Sequence, residues 1–368
     1  MDMTPYLKLM AEKEASDLFF CTRTEPRIKI EGVIRPVGSK KLEPGEVAEM
    51  AKSLMNEAQA DEFAKALEMN FAIPLKGVGR FRINIFRQRG EVSIVIRYIK
   101  SEIPRFEEMN LPPILGDIIM EKRGLVLVVG ATGSGKSTTL AAMIGHRNRN
   151  SNSHILTIED PLEFIHHHEQ SIVQQREVGI DTLNYENALK NALREAPDVI
   201  LIGEVRDMET MKHAIAYAET GHLCLATLHS NNANQTMDRI LNFFPEVAHR
   251  QLLMDLSLNL KAIVSQRLLF TEQGVRIPAV EVMLNSPFIA ELITKGDIGG
   301  IKDAMKESTD DGTVTFDQAL LTLYRQGKIS FEEASRNADS KNDLNLAIRM
   351  GSSPDPSAQD NDDELIMG

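Results

Sequence analysis

Eight consecutive residues limit this chain more than any others: Gly130-Ala-Thr-Gly-Ser-Gly-Lys-Ser137, a G-x-x-x-x-G-K-S run. The run follows the apolar stretch Leu125-Val-Leu-Val-Val129 and precedes Thr138-Thr-Leu-Ala-Ala-Met-Ile144, where Leu140, Met143 and Ile144 share a helical face. A strand that breaks into glycines and then into a helix gathers backbone N–H groups at a helix N-terminus, which attracts anions. The pattern predicts a phosphate-binding loop in which Gly130, Thr132, Gly133, Ser134, Gly135, Lys136, Ser137 and Thr138 hold a nucleotide. Lys136 is placed for the β- and γ-phosphate oxygens and the Ser137 hydroxyl for Mg²⁺, so ATP with Mg²⁺ is the expected ligand pair.

A loop of this kind needs a covered sheet behind it, and the chain can supply one. Its 368 residues are 42% apolar and 26% charged, enough for two domains with real cores. Only Cys21 and Cys224 are present, which excludes a disulfide framework and a four-cysteine zinc element. No charged segment followed by an apolar core opens the chain, and no apolar run approaches the ~18 residues of a membrane span. The expectation is a cytoplasmic protein that reaches membranes through partners. A net charge of −12 argues against a protein built to grip nucleic acid.

The chain reads as α/β throughout, with a small domain over residues 1–100, an extended linker over 101–115, a larger domain over 116–350 and an acidic tail over 351–368. The small domain opens with a helix around Tyr6, Leu7 and Met10, continues in strands at Leu18–Phe20, Arg27–Ile30 and Val33–Ile34, and turns helical from Pro44 to Leu67. Two strands, Gly79–Phe86 and Val92–Arg97, are expected to close it around the turn at Arg89-Gly90. The larger domain alternates strand and helix as far as Thr227, which predicts a mainly parallel sheet covered on both faces. Beyond Gln235 it reads as mostly helical apart from Ala279–Leu284, with helix starts marked by Ser286-Pro287, Thr315-Phe-Asp-Gln318 and Ser330-Phe-Glu-Glu333.

Three clusters lie where strands end, the place where such sheets assemble ligand sites. Ile158-Glu-Asp-Pro-Leu-Glu163 offers Glu163 as general base toward an attacking water. Val199-Ile-Leu-Ile-Gly-Glu204 ends an apolar strand with glycine where a Walker B strand has aspartate, leaving Glu204 as the acid that holds Mg²⁺ through water. His222 and His229 flank the strand Leu223–Thr227 and suit a role in sensing the γ-phosphate, whereas the adjacent His166, His167 and His168 cannot all face one metal ion in regular structure. The 79–97 hairpin adds Arg80, Arg82, Arg87, Arg89 and Arg97 to an otherwise acidic protein. They are either a solvated face or, for Arg82 and Arg97 with Arg80 behind them, phosphate ligands.

Taken together, the loop, Glu159-Asp160-Pro161 with Glu163, Gly203-Glu204 with Arg206-Asp207, and His222 with His229 resemble the Walker A, Asp box, Walker B and His box of the secretion-superfamily ATPases. The N-terminal half, with Ser16-Asp17-Leu18, Gly32 and Arg80-Phe-Arg82, is similar to that of the PilT/PilU family of type IV pilus retraction ATPases. The resemblance implies a PAS-like N-terminal domain, a RecA-like ATPase domain with a helical C-terminal portion, and a homohexamer in which N-domain arginines help complete the nucleotide site. It also implies ATP hydrolysis coupled to pilus retraction and twitching motility, at the inner-membrane pilus base, in contact with a platform protein. Retraction rather than extension fits the missing zinc cysteines. The segment Gly299-Gly-Ile-Lys-Asp-Ala-Met-Lys-Glu307 departs from the Ala-Ile-Arg-Asn-Leu-Ile-Arg-Glu pattern of PilT proteins and is similar to the other branch of the family, which implies work alongside a PilT-like ATPase. Two other function classes stay open on sequence: a RecA-like nucleic-acid motor, and a nucleotide-sensing scaffold of the pilus base with little turnover.

Overall fold

The computed structural model describes residues 2–99, 102–308 and 312–351; most of the acidic tail expected from the sequence lies outside them. In chain order the elements begin with α1 (Thr4–Glu12), β1 (Asp17–Phe20), β2 (Arg27–Ile30), β3 (Val33–Pro36), α2 (Glu46–Leu54), α3 (Glu57–Ala66), β4 (Glu68–Leu75), β5 (Gly79–Gln88) and β6 (Glu91–Ile99). They continue with α4 (Ile114–Met120), β7 (Gly124–Val129), α5 (Lys136–Asn150), β8 (His154–Glu159), β9 (Ile172–Glu177), α6 (Tyr185–Ala192), β10 (Val199–Ile202), α7 (Met208–Glu219), β11 (Leu223–Leu228), α8 (Ala233–Phe243) and α9 (His249–Asn259). The last are β12 (Leu260–Phe270), β13 (Arg276–Leu284), α10 (Pro287–Lys295), α11 (Ile298–Glu307), α12 (Phe316–Arg325), α13 (Phe331–Asn337) and α14 (Lys341–Gly351).

Contacts divide the chain into two compact units that interleave in sequence. One comprises Met1–Glu108, Ile119–Gly124 and Ser137–Ala226; the other comprises Met109–Ile118, Leu125–Lys136 and Thr227–Gly368.

In the first unit the N-terminal strands form an antiparallel sheet in the order β3-β2-β1-β6-β5-β4. Period-two patterning explains its two faces: Phe81, Ile83, Ile85, Ile94 and Ile96 are buried on one side, while Arg80, Arg82 and Asn84 alternate onto the other. The β5–β6 turn uses positive φ at both Arg89 (51°) and Gly90 (82°), the geometry that matches strand twist in a two-residue hairpin. The helical stretch from Pro44 to Leu67 is broken in two, because Asn56 caps α3 in a capping box with Gln59 and so holds Met55 extended. Three strands rather than two close this sheet, since β4 joins β5 along its length and places Pro74 on an edge strand, where the missing N–H is tolerated.

The same unit contains a parallel set, β9-β8-β10-β11. The strand β9 is an addition to the sequence reading, as its Val173-Gln-Gln-Arg-Glu177 is too polar to read as a covered strand. In the second unit β7 runs parallel to β12, and β12 antiparallel to β13. The expectation of an almost wholly helical second half is therefore corrected at residues 260–270. The helix starts at Ser286, Thr315 and Ser330 are as the sequence predicts, each side chain accepting the N–H three residues on. Leu269 and Ile277 of the strands form a core with Phe316 and Leu320 of α12, Ala334 of α13 and Leu344 of α14.

Candidate functional site

The loop after β7 is held in shape by contacts that only glycine allows. A Cβ on Gly130 (φ 154°) would stand 2.4 Å from Ser134 Oγ and 2.5 Å from the Gln266 carbonyl oxygen. At Gly135 (φ 89°) it would stand 2.7 Å from Gln266 Nε2, while Gly133 (φ 80°) faces open space. Gln266 of β12 fastens the loop by donating from Nε2 to the Ser134 carbonyl oxygen at 2.9 Å. Lys136, the first residue of α5, donates Nζ to the carbonyl oxygens of Gly130 (2.7 Å) and Ala131 (3.0 Å), so its charge is folded back over the loop. Ser137 is exposed in the first turn and Thr138 is half-buried beside it.

Residues Gly130 to Ser134, with Asn231, Gln266, Arg267 and Leu268, line a cavity of about 220 Å³. That is below the ~300 Å³ at which pockets for whole drug-sized ligands begin, so it is the size of a phosphate cradle with room for base and sugar only beyond its rim. The Ser134 hydroxyl is buried here without a hydrogen-bond partner, an orphan that a phosphate oxygen would satisfy. The residues present thus fit an anionic polyphosphate. The hard oxygen donors of Ser137 and Glu204 are of the kind Mg²⁺ takes.

In the first unit, the carboxyl ends of β8, β9 and β10 carry a row of alternating charge. Arg206 donates from Nε to Glu204 (2.6 Å) and from Nη1 to Asp160 (3.4 Å), tying the end of β10 to the end of β8. The Asp160–Pro161 bond is cis. Glu159 accepts from Thr157 Oγ1 at 2.7 Å, yet burial, reinforced by Glu163 and Glu177, pushes its carboxyl up to about 7. Glu163 itself is exposed beyond the cis bond, with room around it for water. Burial also pushes the Tyr185 phenol up, and its hydroxyl is buried without a partner.

The glycine that replaces the usual Walker B aspartate has a steric cause. Gly203 N donates to the Ile158 carbonyl oxygen at 2.8 Å, and a Cβ there would lie 3.0 Å from Glu159 Cα and 3.0 Å from the Tyr185 hydroxyl. A side chain at this position would have to push the end of β8 and the Tyr185 hydroxyl back by a few tenths of an ångström. Asp198, at the other end of β10, is occupied in accepting the His154 N–H at 2.8 Å.

The remaining candidates fall in different places. Arg82 and Arg80 each reach to 3.7 Å from Glu177 at the end of β9, a carboxylate with no exposed side-chain surface. Burial raises Glu177 above the ordinary carboxylate range while Arg82, then Arg80, draw it back. Arg97 lies opposite Arg82 in the β5–β6 register, but its Nε donates to Asp17 at 2.9 Å. His222 Nδ1 lies 3.1 Å from Thr220 Oγ1 and 3.2 Å from the Tyr217 carbonyl oxygen; donation to that carbonyl leaves Nε2 as an acceptor. His229 is exposed just past β11, in the second unit. Of the arginines left as a solvated face, Arg87 lies 5.8 Å over the Phe63 ring and Arg89 sits in the turn. In the histidine triplet, His168 Nδ1 accepts the Val173 N–H at 3.1 Å and burial holds His166 down to about 4.

Sequence reasoning passed over Glu177, Gln266 and Tyr185. The first two lie on β9 and β12, the strands it did not assign, and the third on a helix face with no motif around it. The signal in β9 was a weak alternation, and in β12 an apolar run that the preceding helix disguised.

Three comparisons bear on this geometry. Residues 2–284 match the family model described as type II/IV secretion system protein. The type IV pilus ATPase PilU of Pseudomonas aeruginosa is 55% identical over 356 residues, 96% of this chain and 93% of that protein. The type IV pilus retractation ATPase PilT of the same organism is 40% identical over 92% of this chain and 98% of its own length. A crystal structure of the pilus retraction motor PilT with bound ADP superposes with a TM-score of 0.86 at 38% identity, covering 94% of this chain and 99% of that one.

Proposed function

Because the chain belongs to the type II/IV secretion system protein family, we propose that it is a hexameric, ATP-hydrolysing motor of type IV pilus retraction that works with a PilT-like ATPase. The observation that carries the reading is the likeness to PilU along 96% of the chain, which takes in both the phosphate cradle and the acidic row. The functional division is residues 1–100, 101–115 and 116–350, with nucleotide held by the larger domain.

In this reading the loop N–H groups and Lys136 bind the triphosphate, Lys136 exchanging its carbonyl partners for β- and γ-oxygens. Ser137, and Glu204 through water, would hold Mg²⁺, which supplies neutralisation of charge on the β- and γ-oxygens. Glu163 accepts the proton of the attacking water as its oxygen bonds to the γ-phosphorus. The bond to the β,γ-bridging oxygen breaks, and ADP and inorganic phosphate leave. Arg82 and Arg97 neutralise the transferring group, and His222 and His229 register its presence. Arg206 keeps Glu204 and Asp160 apart from each other's charge, so the acid that serves Mg²⁺ stays oriented.

The protein acts at the cytoplasmic face of the inner membrane through a pilus platform protein; among the described residues no helix is long and apolar enough to cross a bilayer. The test is a cell whose PilT-like partner is assembled but catalytically dead. Retraction there should depend on Lys136 of this chain, and robust retraction in a cell without the partner would overturn the division of labour. Hydrolysis stimulated by DNA or RNA would overturn the motor assignment altogether.

A further inference from the structure

Two arginines from one strand meet a single carboxylate. Arg80 Nη2 and Arg82 Nη1 each stand 3.7 Å from Glu177, which has no exposed side-chain surface. Both Glu177 oxygens and Arg80 Nε are buried without a hydrogen-bond partner. Charge-assisted hydrogen bonds close to about 2.8 Å, so these contacts are Coulombic attraction across a gap. Asp181 and Asp160 lie near enough to raise Glu177 further, so the two guanidiniums face a group of carboxylates of which Glu177 is the one they reach.

The placement gives this arrangement a purpose. Arg80 and Arg82 share one face of β5 while Phe81 and Ile83 between and beside them are buried on the other, so alternation aims the pair. Glu177 lies opposite Glu159 in the β8–β9 register, and Val178 N donates to the Glu159 carbonyl oxygen at 2.9 Å. The arginines are thereby brought to the row of strand ends that carries Glu159, Asp160 and Glu204. A guanidinium locked in a bidentate pair has spent its fork. One held by charge alone keeps its N–H donors for another oxyanion.

We propose that Glu177 is a positioning residue of the ATPase reaction: it holds Arg80 and Arg82 by charge without using their donors, so that Arg82 is presented to the transferring phosphate while Arg80 stays on the carboxylate. This rests on the reading above that Arg82 serves the triphosphate. Glu177 touches no reacting atom.

The experiment is steady-state ATP hydrolysis by the full-length protein and its variants Glu177→Gln, Glu177→Asp, Arg82→Ala and Glu177→Gln with Arg82→Ala, each checked by thermal melting. Glu177→Gln is expected to lower kcat on the order of tenfold to a hundredfold, the scale of a misplaced catalytic group, with little change in KM. Glu177→Asp should recover part of the loss, and Glu177→Gln should add nothing once Arg82 is gone. Normal turnover in Glu177→Gln alongside an impaired Arg82→Ala overturns the proposal and leaves the role of Arg82 standing. Normal turnover in Arg82→Ala removes that role and the proposal with it. Losses that add in the double variant, or that Asp does not relieve, make Glu177 a structural residue only. Where Glu177→Gln does not fold, Glu177→Asp decides: a reduced kcat that vanishes in the Arg82→Ala background supports the proposal, and an undiminished one overturns it.

Discussion

Replacing Gly203 by alanine tests the steric account of the missing Walker B aspartate. The backbone at Gly203 is not in the left-handed region, so the change adds no strain of its own; the cost is contact. The new Cβ would meet Glu159 Cα at 3.0 Å, the Tyr185 hydroxyl at 3.0 Å and the Ile158 carbonyl oxygen at 3.2 Å. Two of those atoms are backbone of β8, which the Gly203–Ile158 hydrogen bond holds at 2.8 Å. Such atoms give by a few tenths of an ångström at most, which places the cost near the middle of the overpacking range, about 2 kcal/mol. For a domain of this size each kcal/mol lowers the midpoint by roughly 2–4 °C, so calorimetry should show a Tm lower by about 4–8 °C. Turnover should fall as well, since the displaced strand end carries Glu159 and leads to Glu163. Gly203→Asp should melt lower still, because it adds a carboxylate beside Glu159, Asp160 and Glu204. A Gly203→Ala protein that melts within about one degree of the parent and hydrolyses ATP at its rate would refute the steric account.

Lys136→Ala should abolish hydrolysis in a phosphate-release assay by removing the charge on the β- and γ-oxygens, and Glu204→Gln should bind nucleotide but stall; wild-type rates in both would end the site assignment. Glu163→Gln should lower kcat by on the order of 10²-fold with nucleotide affinity nearly unchanged, and an unaltered kcat would take the general-base role from it. Arg97→Ala should lower turnover more than it lowers Tm; a change in Tm alone would leave Arg97 as the partner of Asp17 and nothing more. His166 gives a pH signature. Its folded-state value of about 4 lies below the unfolded value near 6.5, so above pH 6.5 it contributes nothing, and stability falls as pH drops from 6.5 toward 4. The loss is at most about 3 kcal/mol, and His166→Gln should flatten that part of a Tm-against-pH curve; an unchanged acid slope would place the sensitivity elsewhere.

What the sequence disclosed depended on how local each signal was. The glycine loop between β7 and α5, the strand β10 and the helix caps at Ser286, Thr315 and Ser330 were legible because residues adjacent in sequence define them. The strand β12 was not, because α9 ends at Asn259 and the strand begins at Leu260 with no glycine or proline between, so an apolar run after a helix read as more helix. In β4 the alternation of Met69, Phe71, Ile73 and Leu75 is present in the sequence, but the strand follows directly on a helix and carries Pro74, which only an edge position tolerates. Glu177 shows the limit most clearly. Its cationic partners come from a strand much earlier in the chain, and nothing near position 177 announces them.

The partnership of β7 with β12 also sets a schedule. Leu125 pairs with Leu260 and Val129 with Ser265, and the Gln266 side chain that fastens the loop lies one residue further on. Ribosomes add ~5–20 residues per second, so for several seconds the nascent chain displays its glycine loop with neither the neighbouring strand nor the clasp. Closing so long an interval costs more chain entropy than forming the hairpin at Arg89-Gly90, so the N-terminal sheet has the head start. The cradle is completed only when most of the polypeptide has been made. A prematurely ended chain that stops short of Gln266 lacks both the strand beside β7 and the side chain that fastens the loop.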